Sequence, residues 1–294
     1  MSKPMHLEPS KLGTKEYWDD LYTRELANHA HDASDTGTVW FDDSDAEAKV
    51  LAFLSDEAAS LGLRTPSTSF LDLGTGNGAL LFALRGEGWE GPMLGVDYSQ
   101  QSVEFARRLE RARRARVEEE EEEGEEGKKE EKEEETAEPD QEQKATTGYR
   151  PISFAQHDIL RDPPATLLAG DRARGWDVVL DKGTFDAVSL SAEPLDPSTG
   201  RRAGEGYRDA VLALTREGGV FLVTSCNWTE DELRRWFAED EGGGKGERAD
   251  EDAFGFEIVG RVAYRSFSFG GIKGQTISSL CLQKVRRERG GTHW

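Results

Sequence analysis

The chain has 294 residues, with 37 basic and 58 acidic side chains and a formal net charge of −21. This acidity argues against general nucleic-acid binding, and no apolar run reaches the roughly 18–20 residues that a membrane-spanning helix needs. The N-terminus lacks the apolar core of a signal peptide, and the two cysteines, Cys226 and Cys281, argue against a disulfide scaffold or a zinc site. We therefore expect a cytosolic protein, with the nucleus as the second choice, whose encoded chain is the mature one.

Two amphipathic helices are predicted at the start of the chain. The first covers residues 15–28, with large side chains at helical spacing: Trp18, Leu21, Tyr22 and Leu26. The second starts near Ser44, and Glu47 follows three residues later in the arrangement of a capping box. The segment between them, residues 32–43, is polar except around Trp40 and Phe41, and we expect it to fold over a ligand. We call it the lid segment.

An alternation of strands and helices follows the two helices. Strands are predicted at residues 69–73, 93–97, 152–156, 176–181, 220–225, 256–264 and 276–283. Helices are predicted at residues 79–85 and 99–115 and after Thr229, which forms a capping box with Glu232. The last two strands have no obvious helix between them and should pair antiparallel. This order predicts an α/β fold with a doubly wound sheet.

An acidic segment at residues 117–148 interrupts this pattern with sixteen acidic and four basic side chains. It holds too few apolar residues to offset the entropy cost of ordering, so we expect a disordered insertion without a specific role. An acidic arm that recruits a basic partner and a long solvated helix are the alternatives. Two glycine-rich stretches, residues 193–206 and 239–252, predict further loop insertions. The predicted organisation has three parts: an N-terminal helix and lid at residues 1–43, the main domain at 44–284 and a flexible tail at 285–294.

Small and polar residues gather at the ends of the first five predicted strands. They are Asp72 to Gly78, Asp97, His157-Asp158, Asp181 to Asp186, and Ser225 to Trp228. Doubly wound sheets bind ligands outside the carboxyl ends of their strands, near the switch in strand order. These residues therefore predict one shared crevice.

The first strand ends in a glycine-rich turn, Gly74-Thr75-Gly76-Asn77-Gly78, which lets a ligand approach the backbone closely. This turn alone also loosely fits a dinucleotide-binding fingerprint. Asp72 just before it would oppose a pyrophosphate and suits an ammonium group, whereas Asp97 can accept hydrogen bonds from both hydroxyls of a ribose. S-adenosylmethionine, a nucleoside with an ammonium group and no phosphate, matches both carboxylates. Alternatively, Asp72 caps the turn and Asp97 caps the next helix.

The third strand end would lie beside the base of such a ligand. Asp158 could accept a hydrogen bond from an adenine amino group, and Ile159 could pack against the ring. An ordinary turn at His157-Asp158 is the alternative.

The motifs together resemble a known group of enzymes. The glycine turn with Asp97 is similar to the seven-β-strand S-adenosylmethionine-dependent methyltransferases. Further blocks resemble the elongation factor 1-alpha lysine methyltransferases of the Efm4 type: Leu12–Asp19, Gly37–Phe41, Asp181–Ala187, Thr224–Thr229 and Phe267–Gly271. The resemblance runs from about residue 11 to 284 and breaks at the insertions.

The resemblance implies a fold, a cofactor and a reaction. The fold is a Rossmann-like class I methyltransferase with strand order 3-2-1-4-5-7-6, strand 7 antiparallel and an N-terminal helical extension. The reaction is methyl transfer from S-adenosylmethionine to a lysine amine of elongation factor 1-alpha. Together with the strand-end pattern, it predicts these cofactor contacts and no metal ligands: Trp40, Asp72, Gly74, Thr75, Gly76, Asn77, Gly78, Asp97, Tyr98, Asp158, Ile159 and Asp181.

The acceptor lysine must be neutral, although the pKa of an unperturbed lysine is about 10.4. A desolvated, aromatic channel favours the neutral amine and also stabilises the cationic product. Candidate walls, with core packing as the alternative for each aromatic residue, are Trp18, Trp40, Phe41, Asn227, Trp228 and Phe269. We expect Asp181 to orient the amine, Asn227 and Trp228 to complete the catalytic site, and Lys182 to be a loop or salt-bridge residue.

Other functions remain open at this point. The same cofactor site could serve a small-molecule N- or O-methyltransferase, or a lysine methyltransferase with another target. A nicotinamide-dependent oxidoreductase is disfavoured by Asp72 and the third glycine. A non-catalytic binding module is disfavoured by the intact set of Asp72, Asp97 and Asp181. The expected enzyme is a monomer.

Overall fold

The computed structural model describes residues 4–132, 149–239, 254–269 and 272–287. Its central sheet has seven strands: β1 Phe70–Leu73, β2 Met93–Asp97, β3 Ser153–Gln156, β4 Trp176–Lys182, β5 Thr215–Ser225, β6 Phe254–Val262 and β7 Ser278–Arg286. The spatial order is β3-β2-β1-β4-β5-β7-β6. β7 is antiparallel to β5 and β6, and the other neighbouring pairs are parallel. The predicted strand order and orientation are therefore confirmed.

Helices cover both faces of the sheet. They are α1 Lys15–His31, α2 Ala46–Asp56, α3 Ala79–Gly86, α4 Gln100–Lys132, α5 Thr184–Ser189, α6 Gly204–Leu214 and α7 Glu230–Phe237. The central strands are apolar on both faces, as is typical of parallel sheets between helical layers. In β4, Val178 and Leu180 join the core with α1 to α4, whereas Val179 joins the core with α5 to α7. Side chains that alternate along a strand thus belong to different cores.

Helix starts agree with the predictions at α7 and differ at α2. Thr229 and Glu232 form the predicted capping box of α7. The capping box predicted for Ser44 and Glu47 is wrong, because α2 begins only at Ala46 and Ser44 lies in the 3₁₀ turn Asp42–Ser44. Phe41 and Asp45 flank this turn with φ of 66° and 52°. This turn ends the lid segment. Asp45, the N-cap residue of α2, has a left-handed backbone and makes no capping hydrogen bond with its side chain.

The acidic segment differs in part from the prediction. α4 continues to Lys132, so residues 117–132 belong to a helix, as in the alternative of a long solvated helix. The ion pair between Arg114 and Glu118 has the i,i+4 spacing that supports such a helix, with 2.7 Å between nitrogen and oxygen. Residues 133–148 lie outside the described residues.

Two small hairpins were not predicted. The stretch 193–206, expected as a loop, contains the paired segments Pro194–Asp196 and Arg201–Arg202 and the start of α6. A second hairpin pairs Ser266–Phe269 with Ile272–Gln275. The predicted tail starts two residues too early, because β7 runs to Arg286.

Within the described ranges, no helix is long and apolar enough to cross a membrane.

Candidate active site

A cavity of about 250 Å³ lies at the carboxyl ends of the parallel strands. All five strand ends contribute: Leu73 and Gly74 from β1, Asp97 and Tyr98 from β2, His157 to Arg161 from β3, Lys182 to Thr184 and Asp186 from β4, and Cys226 and Asn227 from β5. The N-terminal part closes it with Leu12, Gly13, Lys15, Trp18, Tyr22, Trp40 and Phe41. The prediction of one shared crevice is thus confirmed.

Asp97 is a buried carboxylate in the cavity wall. Its Oδ2 accepts hydrogen bonds from the Ser102 hydroxyl at 2.8 Å and the Gly76 amide at 3.2 Å, and its Oδ1 accepts one from the Ser99 amide at 2.9 Å. Burial raises the pKa of Asp97, and these hydrogen bonds oppose the rise. The bond to the Ser99 amide forms a turn just before α4, and Ser99 is the N-cap, because its Oγ accepts from the Ser102 amide at 3.4 Å. Asp97 thus holds the residue that caps α4 and also faces the cavity.

The glycine turn has no room for a side chain at Gly74 or Gly76. Gly74 and Gly76 have φ of 62° and 59°, a region that favours glycine. A Cβ on Gly74 would lie 2.1 Å from Thr184 Oγ1, and one on Gly76 would lie 2.6 Å from the Tyr22 hydroxyl. Only Gly74 of this turn lines the cavity. Thr75, Gly76, Asn77 and Gly78 do not line the cavity, and their contacts with a cofactor stay predictions.

Asp72 caps the turn instead of facing the cavity. It is 3% exposed and accepts a 2.7 Å hydrogen bond from the Thr75 hydroxyl. Burial raises the pKa of Asp72 to about 7. The strand end holds the carboxylate against Thr75, and a contact between Asp72 and a ligand ammonium stays a prediction.

The lid segment is anchored to the sheet at two points that involve predicted site residues. Asn77 Nδ2 donates to the Thr36 carbonyl at 2.9 Å and to the Thr38 carbonyl at 3.4 Å. Lys182 Nζ donates to the Trp40 carbonyl at 3.1 Å. The predicted ligand contact Asn77 is therefore an anchor of the lid. Its spacing in the glycine turn does not distinguish the two roles.

Trp18, Trp40 and Phe41, three of the candidate channel walls, line the cavity. The rings of Trp18 and Trp40 lie 5.3 Å apart. Trp228 does not line it: this residue is buried against Phe185 and Trp236, and its indole donates to Ser189 Oγ at 3.3 Å. Trp228 therefore packs in the core, in agreement with the alternative, and its catalytic role stays a prediction. The side chain of Phe269 lies outside the described part.

Asp181 also points away from the cavity. It is 1% exposed, and Tyr207 and the backbone amides of Thr184 and Phe185 donate to its carboxylate. Burial raises its pKa to about 7. Asp181 lies on the same face of β4 as Val179, whereas the next residue, Lys182, faces the cavity. Its predicted roles in orienting the amine and contacting the cofactor stay predictions, which this buried position does not support.

Lys182 and Asp186 are cavity residues to which the sequence analysis assigned no role in the reaction. Burial lowers the pKa of Lys182, and the nearby carboxylate of Asp72 opposes this effect. Both residues lie in the predicted strand-end block at residues 181–186. That block was the sequence signal for these two residues. It does not show which of its side chains face the cavity.

The end of β3 agrees with both predictions made for it, a place in the ligand cavity and an ordinary turn. Asp158 and Ile159 line the cavity. Asp158 Oδ1 also accepts hydrogen bonds from the Leu160 amide at 3.0 Å and the Arg161 amide at 3.2 Å, as an ordinary turn does. Asp158 thus has a structural role that coexists with its place in the cavity. In the part of the chain with described side chains, no group of three or more His, Cys, Asp or Glu residues is placed to hold a metal ion.

Comparisons with known proteins give consistent results. The profile of a family described as a methyltransferase domain matches residues 64–134. Protein-lysine N-methyltransferase EFM4 of Saccharomyces cerevisiae is 34% identical over 95% of this chain and 96% of its own length. EEF1A lysine methyltransferase 2 of Danio rerio is 30% identical over 97% of this chain and 92% of its own. A crystal structure of magnesium protoporphyrin IX methyltransferase from Synechocystis PCC 6803 with bound SAM matches 92% of this chain and 96% of its own with 13% identity and a TM-score of 0.45.

Proposed function

This chain belongs to the Efm4 family of protein-lysine N-methyltransferases, and from that membership we propose that it transfers a methyl group from S-adenosylmethionine to a lysine of elongation factor 1-alpha. Both relatives named above are lysine methyltransferases by name, and the name of the Danio rerio protein also gives EEF1A as the substrate. They match this chain over nearly its whole length. The observation that carries the proposal is the cavity in which Asp97 at one strand end and the aromatic lid segment meet. Cytosolic location and a monomeric state stay predictions.

The cavity residues fit the cofactor. Asp97 presents a carboxylate for two ribose hydroxyls, and Ile159 and Val96 add apolar surface for a base. The cations of the cavity already have partners: Lys15 pairs with Asp19, Arg161 with Glu193, and Lys182 donates to the Trp40 carbonyl. A cavity without a free cluster of basic groups suits a nucleoside better than a polyphosphate.

The protein contributes to the reaction by positioning the reactants and by excluding water from the cavity. When bound, S-adenosylmethionine supplies an electrophilic methyl group on a sulfonium. Trp40 and Phe41 cover the cavity and lower the local polarity, which favours the neutral form of an incoming lysine. Their rings also stabilise the positive charge that develops on the amine. Catalysis by position and electrostatics requires no general base with a matched pKa.

The proposal is tested with purified protein, tritiated S-adenosylmethionine and elongation factor 1-alpha. We expect label on the elongation factor with the wild-type protein and loss of label with Asp97→Asn, because the variant loses the charge that holds the ribose. Its Kd for the cofactor should rise roughly 10- to 100-fold, the range of a lost charge-assisted hydrogen bond. Asp171→Asn is the matched control, since Asp171 is an exposed carboxylate before β4, at the other end of the strand. Label on a small molecule of the reaction mixture and none on protein would reject the proposal.

A further inference from the structure

Asp186 is a buried carboxylate in the cavity wall that the cofactor site does not use. It is the third residue of α5, 5% exposed, and lies beside Cys226 and Asn227 at the end of β5. Asp97 lies at the end of β2, and β1 and β4 separate β2 from β5 in the sheet. The two carboxylates therefore lie at well-separated points along the row of strand ends, with the β3 end on the far side of Asp97. If Asp97 holds the ribose, the reacting end of the cofactor points toward Asp186.

The protein holds the Asp186 side chain in one orientation. The Ser225 hydroxyl donates to Oδ1, and the Cys226 amide donates to Oδ2 at 2.9 Å. The Cys226 thiol and the Asn227 amide also donate to this carboxylate, and burial raises the pKa of Asp186. An ionised carboxylate has about four acceptor positions, and a thiol is a weak donor, so a donor from the cavity can take the place of the Cys226 thiol.

The surroundings of Asp186 suit an amine. Phe41 packs over the start of α5, where a Cβ on Gly183 would lie 3.1 Å from Phe41 Cζ. Burial raises the pKa of the Cys226 thiol to about 12, and Asp186 adds to this effect, so the thiol stays neutral. Within the described ranges no cationic side chain forms an ion pair with Asp186, and the nearby Lys182 donates to the lid. A buried carboxylate that forms no ion pair among the described residues can accept a hydrogen bond from the N–H of a neutral alkylamine.

Resting on the proposed function, we propose that the Asp186 carboxylate accepts a hydrogen bond from the ε-amine of the acceptor lysine. This bond holds the amine at the β5 end of the cavity and orients its lone pair toward the methyl group. Asp186 thereby takes the place that the sequence suggested for Asp181. The two residues flank the Gly183 turn, and only Asp186 faces inward.

The test compares Asp186→Asn with the wild type and with the exposed control Asp171→Asn. Asparagine keeps the shape and one acceptor oxygen for Ser225 or Cys226 but removes the charge. We expect kcat/KM for elongation factor 1-alpha to fall roughly 10- to 100-fold, as for a lost charge-assisted hydrogen bond. The Kd for S-adenosylmethionine, measured by calorimetry, should stay at the wild-type value. Asp186→Glu restores the charge one methylene farther out and should recover part of kcat while KM stays raised.

The outcomes separate this inference from the proposed function. Transfer by the wild type with weak transfer and normal cofactor binding in Asp186→Asn supports the role of Asp186. Equal kcat/KM in wild type and Asp186→Asn overturns that role and leaves the proposed function standing. Loss of cofactor binding in both Asp186 variants also overturns it, since the residue would then hold the cofactor or the fold. A wild type that binds cofactor but does not label the elongation factor rejects the proposed function itself.

Discussion

The Tyr207 hydroxyl donates a 2.6 Å hydrogen bond to Asp181 Oδ2, and both side chains are buried. The amides of Thr184 and Phe185 donate to the same carboxylate. Asp181 therefore connects α6 to the N-terminus of α5. Its task is to hold the backbone that carries Lys182 and Asp186 into the cavity.

Tyr207→Phe tests this structural role. The variant removes one donor from a buried carboxylate, so the free energy of unfolding should fall by about 1–3 kcal/mol. Methyl transfer per folded molecule should stay close to the wild-type rate. Urea unfolding and the transfer assay measure the two quantities. Tyr149→Phe is the control, because Tyr149 also donates to a carboxylate, that of Glu110, but is only partly buried. A stable Tyr207→Phe protein without activity would indicate that Asp181 takes part in methyl transfer.

The lid should become more ordered when the cofactor binds. Trp40 and Phe41 line the cavity, so a bound ligand adds contacts to the lid segment. We expect slower amide hydrogen exchange at residues 32–43 with saturating S-adenosylmethionine. Asn77→Ala removes the amide that holds the Thr36 and Thr38 carbonyls and should speed exchange there in the free protein. Exchange that is insensitive to cofactor would show that the segment is not a lid.

Lys182→Met tests the second lid anchor. Methionine keeps much of the aliphatic stem but loses the hydrogen bond to the Trp40 carbonyl. Cofactor affinity should fall about tenfold, which corresponds to the roughly 1.4 kcal/mol of a single hydrogen bond from a charged group. Calorimetry measures the affinity, and Arg64→Met, at an exposed position before β1, serves as the control. An unchanged Kd would mean that Lys182 holds neither the lid nor the ligand.

The buried Asp72 should make stability depend on pH. Burial raises its pKa from the ordinary 3.8 to about 7, so the folded protein binds this proton more tightly than the unfolded chain. Its stabilising contribution is complete below the unfolded pKa and is lost as pH rises through about 7. Asp72→Asn cannot ionise. The unfolding free energy of wild type minus variant should therefore grow from pH 8 to pH 5, by at most about 1.4 kcal/mol per pH unit. Urea unfolding across this range checks it, and a constant difference would contradict the buried position of Asp72.

The layout of the sheet could be predicted because apolar strands and amphipathic helices alternate clearly along the chain. The capping box at Thr229 and the antiparallel pairing of β6 and β7 followed from local patterns. The two hairpins, which pair 194–196 with 201–202 and 266–269 with 272–275, were not predicted because their strands have only two to four residues. So short a segment does not establish a strand period, even where Ser and Phe alternate at residues 266–269. The start of α2 was missed because the sharp turn after Phe41 depends on contacts with the sheet.

The strand ends could be located from the sequence, but not the direction of each side chain. Successive side chains of β4 point to opposite faces of the sheet. Lys182 therefore faces the cavity, whereas its neighbour Asp181 faces the core. Asn77 and Trp228 lie in the right blocks, yet one anchors the lid and the other packs in the core. These roles depend on tertiary packing, which cannot be read from the local sequence pattern.

Tandem mass spectrometry of elongation factor 1-alpha after incubation with the purified protein and S-adenosylmethionine tests the central claim most directly. We predict that one lysine gains methyl groups with the wild-type protein and with Asp171→Asn, and gains none above background with Asp97→Asn. An elongation factor that stays unmodified, while calorimetry shows that the wild type binds the cofactor, would contradict the claim.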